Sequence, residues 1–314
     1  MPGSIIVTGG AGFIGSHLAD RLILRGDQVT VVDDLSAGRL ARLDSRVTLC
    51  EANITDAAAM AAIVRKVAPE VIFHLAARAD VRQSVAGPMD NSIVNIAGTV
   101  NTLVAAQQVD ARVIFASTGG ALYGDGVPVP SAEDTTPQPE SPYGTSKYCA
   151  EQYIWMYNRL YGTRHSVLRL GNVYGPRQDP TGETGVVGIF CGQINAGDQL
   201  VVYGDGSQAR DYVYVADVIE AFLLAVETEG PGVWNIGTGI ETTVRHLIDL
   251  ICQAAGKDVT PRYASHRLGE LQRSVLATNR AAADLSWEAR TPLATGIKKV
   301  YQWVQEGKPD RTEC

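Results

Sequence analysis

Three glycines at three-residue intervals, Gly9, Gly12 and Gly15 in "VTGGAGFIG", stand between the apolar run "SIIVT" and the helix-periodic stretch "FIGSHLADRLILRG". A short apolar run bounded by glycine reads as a buried strand. The next stretch spaces its apolar residues for a helix that stops at Gly26, and "QVTVVDD" reads as a second buried strand. Together they predict a βαβ unit. Glycines at such a junction permit the tight turn, close approach of a pyrophosphate and close helix–sheet packing, while the helix N-terminus offers free N–H groups and about half a positive charge. An ordinary glycine-rich turn is the alternative for this motif in isolation, and the strand–turn–helix context favours dinucleotide binding.

Asp33 closes the second strand, where a carboxylate can accept hydrogen bonds from both ribose hydroxyls and repel a 2′-phosphate, selecting NAD over NADP. Asp34 suits a turn or a helix cap, and Arg39 and Arg42 come too late in the loop for phosphate ligands. The alternation continues through "RVTLCE", "DAAAMAAIVRKV", "EVIFHLAA", a helix from about Met89 to Gln108, "RVIFAS", a helix from Tyr143 to Tyr161, and "HSVLRL". Apolar strands separated by helices predict an α/β fold with a doubly wound parallel sheet of Rossmann type.

After Leu170 the pattern loosens into Gly- and Pro-rich loops with shorter elements. The expected organisation is a cofactor-binding domain over 1–170 and a smaller α/β substrate lobe over 171–314. A segment near 212–240, containing "DYVYVADVIEAFLLAV" and "VWNIG", is expected to return to the sheet. Apolar residues make up 45% of the chain, ample for a large core. The longest apolar runs fall far short of the roughly 20 residues of a membrane span, and no signal peptide precedes the first strand, so a cytoplasmic protein is expected. Cys50, Cys149, Cys191, Cys252 and Cys314 are scattered without metal-ligand spacing and signal neither disulfides nor zinc. A net charge of −7 disfavours nonspecific nucleic-acid binding, so an anionic ligand must be met by a local cluster of cations.

"SPYGTSKYCAE" sets Tyr143 and Lys147 four positions apart. With 12 tyrosines and six lysines, one such coincidence arises in roughly one chain in four or five, so the pair alone decides little. In a helix the two share a face, and Pro142 suits the first turn. A tyrosine acting as a base at neutral pH must move by about 3 pKa units, or roughly 4 kcal/mol. A lysine ammonium at about 4 Å contributes up to roughly 4 kcal/mol before desolvation opposes it, and an oxidised nicotinamide adds a second positive charge. Ser117 and Thr118 end the strand "RVIFAST" on the edge where ligands of such sheets sit. Either hydroxyl could hold a substrate oxygen, though unaided Ser and Thr are more often caps or turn formers.

Taken together, "TGGAGFIG", "VVDD", "HLAA", "NIAGT", "ASTGG", "YGTSK", "NVYGPRQ", "RDYVYV" and "RLGEL", in order from Ile5 to about Trp287, resemble the extended short-chain dehydrogenase/reductase family. The likeness is greatest to members that invert C4 of UDP-glucose and UDP-galactose. It implies that Tyr143 is the base, Lys147 its electrostatic partner on the nicotinamide ribose, Thr118 the holder of the sugar O4, and Ser117 its neighbour. It implies a cofactor cradle of Gly9, Gly12, Phe13, Ile14, Gly15 and Asp33, with Asn53 and Ile54 at the adenine, and with Leu75, Ala76, Ala77 and Asn95 in the same groove. For the UDP moiety it implies Asn172, Arg210, Tyr212, Arg267 and Glu270, while Arg177 and Arg273 read as surface residues.

Related dehydratases and decarboxylases carry acidic residues after the threonine, where this chain has Gly119 and Gly120, which makes those activities the lesser alternative. A noncatalytic cofactor sensor is disfavoured by the presence of Tyr143, Lys147 and Thr118 together. Ser274 matches the family's gate beside the sugar C2 substituent, and a serine there leaves room for an N-acetyl group. UDP-hexoses, their N-acetylhexosamine counterparts and UDP-glucuronate therefore stay open as substrates. The family resemblance also implies a homodimer paired through the two long helices.

Overall fold

The computed structural model describes residues 3–179, 185–266 and 270–307. The N-terminal half alternates strands β1 (Ser4–Thr8), β2 (Gln28–Asp33), β3 (Thr48–Glu51), β4 (Val71–His74), β5 (Arg112–Thr118) and β6 (Ser166–Leu170) with helices α1 (Phe13–Arg25), α2 (Ala57–Val67), α3 (Val81–Ala86), α4 (Pro88–Ser92), α5 (Gly98–Gln107) and α6 (Pro142–Tyr161). The helix expected from Met89 to Gln108 is divided: a turn of π-helix, Ile93–Ala97, joins α4 to α5.

Strands β7 (Asn172–Tyr174), β8 (Val201–Tyr203), β9 (Ala209–Arg210), β10 (Tyr212–Tyr214), β11 (Val233–Ile236), β12 (Thr242–Thr243), β13 (Arg262–Ala264) and β14 (Arg273–Ser274) follow. Helices α7 (Val186–Ala196), α8 (Val215–Glu227), α9 (Val244–Ala255), α10 (Asn279–Leu285) and α11 (Leu293–Gln305) accompany them.

Seven strands form one sheet in the order β11-β6-β5-β4-β1-β2-β3, and β1 to β5 pair in parallel. The fold is a Rossmann-type doubly wound α/β sheet. The chain winds outward from β1 to β3 and then crosses back to β4, so the strand order reverses between β1 and β4; ligands of such sheets bind outside the carboxyl ends of the strands at that point. Helices cover the strands, which explains their unbroken apolar character. Ile6, Ile72, Val113 and Phe115 from the strands pack with Met60 and Val64 of α2, Leu103 of α5 and Ile154 of α6, all buried.

The chain divides into two compact units, Met1–Thr118 with Ser141–Arg169 and Ile219–Trp234, and Gly119–Glu140 with Leu170–Val218 and Asn235–Cys314. Beside the expected division at residue 170 with a returning segment near 212–240, the returning segment here is Ile219–Trp234, and Gly119–Glu140 falls in the second unit. The cause lies in residues 119–140: Ser131 N–H donates to Val275 O, while Ala277 N–H and the Asn235 amide donate to Ser131 O. In the first unit, Arg112 at the start of β5 fastens the returning segment by donating to Val226 O, Thr228 O and Gly230 O. In the second, β9 lies between β12 and β14, β10 pairs with β7, β13 pairs with β8, and α7, α9 and α11 pack together.

Two histidines of the first unit are buried at the sheet. His165 Nδ1 accepts from Val113 N–H, and His74 lies between the hydroxyls of Thr8 and Thr99. Burial, helped by the charge of Arg112, lowers His165 to about 4, and burial with the charge of Lys147 lowers His74 to about 3. The folded chain therefore binds fewer protons than the unfolded chain below pH 6.5, and stability present above that pH is lost as pH falls towards 4. Urea unfolding should show each histidine costing roughly 2 kcal/mol between pH 6.5 and 5. His165→Asn, which retains an acceptor for Val113 N–H, should remove one of the two contributions; an unchanged slope would show that His165 is not held neutral.

Candidate active site

The turn after β1 is built for close approach. Gly9 has φ +68°, and a Cβ there would lie 2.7 Å from Ala76 N, while a Cβ on Gly15 would collide with the Gly9 carbonyl. Gly12 is the N-cap of α1, and no side chain caps that helix. Phe13 and Ile14, in its first turn, are half-buried. The N-terminus of α1 thus presents backbone N–H groups and its positive dipole end to whatever approaches the glycine turn.

Asp33 is buried at the end of β2, with Oδ2 accepting from Ala11 N–H and Oδ1 from Leu35 N–H, each at 2.9 Å. Burial pushes its carboxyl up, and these two hydrogen bonds oppose that rise. Arg42, too distant in sequence to be expected here, is buried, and its charge also favours the Asp33 carboxylate.

Asn53 is exposed and ties the loop after β3 to the one after β2, donating to Asp34 Oδ2 and accepting from Thr55. Ile54 is buried, in the space that a side chain at Gly98 would enter. Leu75, Ala76 and Ala77 follow β4; Leu75 N–H donates to Thr8 O and Ala76 N–H to Thr8 Oγ1. Asn95 lies in the π-helical turn. Its amide donates to Arg78 O, Asn91 Oδ1 and Ser146 Oγ and accepts from Arg78 N–H, so it fastens the loop after β4 to α6.

Ser141 caps α6 by accepting from Gly144 N–H, and Pro142 occupies the first turn. Tyr143 is half-buried, and its phenol hydrogen-bonds with the Thr118 hydroxyl. Lys147, one turn on, is buried; its Nζ donates to Ala116 O at 2.8 Å and lies 4.6 Å from the centroid of the Phe115 ring. Burial pushes Tyr143 up to about 12 and pulls Lys147 down to about 7. The two shifts run against phenolate formation, so the protein's own groups keep Tyr143 protonated at neutral pH.

Ser117 does not share the orientation of Thr118: its Oγ donates to Glu151 Oε1 at 2.5 Å. Glu151 is fully buried and accepts a forked pair of hydrogen bonds from Arg169. Sequence reasoning missed Glu151 and Arg169. The available sign was spacing, since Glu151 stands four residues past Lys147 and eight past Tyr143 on one helix face.

In the second unit, Asp211 is buried between Arg210 and Tyr212 and accepts from Thr238 N–H and hydroxyl, Gly239 N–H and Leu276 N–H. Burial raises its carboxyl pKa, which these four donors oppose. Asn172 starts β7 with its N–H on Asp211 O, and Arg210 is half-buried with Nη1 on Ala209 O.

The Tyr212 hydroxyl is buried with no hydrogen-bond partner among the described residues, and its pKa is raised first by burial, with the charge of Arg210 opposing the rise and that of Glu270 adding to it. Ser274 is buried and pairs with Arg210 across β14 and β9. Glu270 is exposed, and Arg267 lies outside the described residues. Arg273 forms an exposed ion pair with Glu241 at 2.7 Å, as a surface residue would, whereas Arg177, expected at the surface, is buried.

Residues 5–237 match the NAD dependent epimerase/dehydratase family. The UDP-glucose 4-epimerase of Mycolicibacterium smegmatis is 43% identical over 307 residues, covering 96% of this chain and 98% of that protein. The crystal structure of the UDP-glucose 4-epimerase of Thermotoga maritima with UDP-glucose superposes with a TM-score of 0.95 at 44% identity, covering 96% of this chain and 99% of that one. The Thermus thermophilus UDP-glucose 4-epimerase in complex with NAD gives 0.91 at 39% identity, covering 96% and 98%. With the glycine turn, Asp33 and the Tyr143–Lys147 helix in place, these likenesses assign the chain to the NAD dependent epimerase/dehydratase family.

Proposed function

We propose that the protein is an NAD-dependent UDP-hexose 4-epimerase that interconverts UDP-glucose and UDP-galactose through a transient 4-keto sugar. The observation that carries the reading is the Thr118 hydroxyl on the Tyr143 phenol, with buried Lys147 one turn along the same helix. Tyr143 takes the proton from the sugar O4 and returns it, Thr118 holds that oxygen, and Lys147 supplies positive charge for the phenolate.

Bringing a phenol from about 12 to neutrality requires roughly 7 kcal/mol, and one ammonium at about 4 Å contributes up to roughly 4 kcal/mol, so a second cation is needed. NAD, when bound, supplies that second positive charge and serves as hydride acceptor and donor at the sugar C4. The residues fit it: the Gly9–Gly15 turn and uncapped α1 would take the pyrophosphate, and Asp33 the adenosine ribose.

For the nucleotide, Asn172, Arg210, Tyr212, Arg267 and Glu270 are the proposed contacts. The Tyr212 hydroxyl, buried and without a partner among the described residues, supports this, because a buried polar group without a partner is costly to keep. Helices α4 to α6 leave Met89, Val104, Tyr153 and Leu160 exposed, and we assign this apolar surface to a second copy of the chain. No helix of the described residues is long and apolar enough to cross a membrane, and Cys50, Cys149, Cys191 and Cys252 are free thiols, which suits a cytoplasmic enzyme.

Proton NMR of UDP-glucose, UDP-GlcNAc and UDP-glucuronate with purified protein and no added cofactor should show the C4 epimer of UDP-glucose appear; no change in any tube after NAD is added would end the reading. Tyr143→Phe should lower kcat by about 10²- to 10⁴-fold with KM little changed. Small, buried Ser274 should admit the N-acetyl sugars, and Ser274→Tyr should lower their turnover relative to UDP-glucose by about tenfold or more. Equal retention of both activities in that variant would place the gate elsewhere.

A further inference from the structure

Three successive residues of β5 meet three successive turns of α6. Ala116 offers its carbonyl to Lys147 Nζ, Ser117 gives its hydroxyl proton to Glu151, and Thr118 hydrogen-bonds with Tyr143. Tyr143, Lys147 and Glu151 are spaced by four, so they form one row on the helix. The Ser117–Glu151 contact lacks any role in the chemistry proposed above, yet at 2.5 Å it is shorter than the Lys147–Ala116 bond at 2.8 Å, and Glu151 is fully buried. Arg169 on β6 holds the carboxylate with Nη2 at 2.7 Å from Oε2 and Nε at 3.1 Å from Oε1, which leaves Glu151 one geometry.

We infer that Glu151 is a positioning residue for the Tyr143–Lys147–Thr118 group: through Ser117 it fixes the end of β5 against α6, and it places a negative charge one helical turn from Lys147. A buried ion pair is weak evidence of added stability, since desolvation offsets most of the attraction. The placement of this one speaks for another role. Its serine lies between the two residues that contact Lys147 and Tyr143, so displacement of Ser117 moves both partners together.

Among the described residues the charges around Lys147 are few. Tyr143 and Glu151 come from α6 and His74 from β4, β5 contributes only the Ala116 carbonyl and the Phe115 face, and Arg169 of β6 engages Glu151. His74 is neutral and Tyr143 is protonated at neutral pH. Burial drives Lys147 towards the neutral amine, and the Glu151 charge is the one that opposes it. Loss of that charge lowers the lysine pKa, reduces the charged fraction at pH 7 and weakens the phenolate.

The chain has six lysines, so Lys147 can be followed by NMR of protein labelled at lysine Cε, its signal being the one lost in Lys147→Arg. The wild-type midpoint should lie near 7. Glu151→Gln should lower it by about one unit or more, and Ser117→Ala, which retains the carboxylate, should leave it in place while lowering kcat. With UDP-glucose, Glu151→Gln should reduce kcat about tenfold or more at a KM within about twofold, with the alkaline limb of the pH profile moved to lower pH.

Should Glu151→Gln fail to fold because Arg169 is left unpaired, Glu151→Asn with Arg169→Lys and Glu151→Gln with Arg169→Lys keep a cation at 169 while removing the carboxylate, and a fall in the Lys147 midpoint is again expected. An unchanged midpoint in a folded carboxylate-free variant overturns the inference. The assignment rests on Tyr143 and Lys147 as the catalytic pair, but the lysine titration needs no turnover. An inactive wild-type protein would therefore sink the epimerase reading while the titration still decides Glu151.

Discussion

Strands β1 and β4 run in register, with Thr8 opposite His74, so the turns that leave them arrive at the same level. Gly9 and Ala76 then meet with no space for a β-carbon between them. Everything at this end of the sheet follows from that contact. A side chain at Gly9 would force the two turns apart, withdraw Ala76 N–H from the Thr8 hydroxyl, and disturb His74, which shares that hydroxyl. The hydroxyl of Thr99 is given to the Asn95 carbonyl, so His74 donates from Nε2 to Thr99 and accepts at Nδ1 from Thr8. One neutral tautomer of one histidine thereby joins the glycine turn, the turn after β4 and the π-helical turn that carries Asn95.

The second organising effect is electrostatic. Burial raises the phenol of Tyr143 and lowers the ammonium of Lys147, so both reactive groups favour their neutral forms. A site with these settings is quiet until positive charge enters it. The protein contributes preorganisation, holding the hydroxyl of Thr118, the carbonyl of Ala116 and the carboxylate of Glu151 at fixed points.

Much of this was legible in the sequence because it depends on local rules. The βαβ start, the strand series to Leu170, the Pro142 start of α6 and the one-face spacing of Tyr143 and Lys147 follow from periodicity and capping. What escaped depends on long-range packing. A π-helical turn inside 88–107 has no compositional mark, because Asn95 is an ordinary helix residue until Arg78 and Ser146 pack beside it. Ser117 and Thr118 are chemically alike and adjacent, and only Glu151 separates their uses. Arg42 reads as a loop cation and Arg177 as a surface one, although both are buried. The assignment of 119–140 away from the strand it follows rests on pairing with residues more than a hundred positions later.

That pairing has a consequence for how such a protein can change. The polypeptide leaves the first unit after Thr118, re-enters at Ser141, leaves after Arg169, re-enters at Ile219 and leaves again after Trp234. Neither unit is a continuous stretch of chain, so no single recombination breakpoint can exchange one unit whole for a homologue's. New specificity must come instead through point substitutions or grafts of short loops, each tested against a scaffold whose two halves are inherited together.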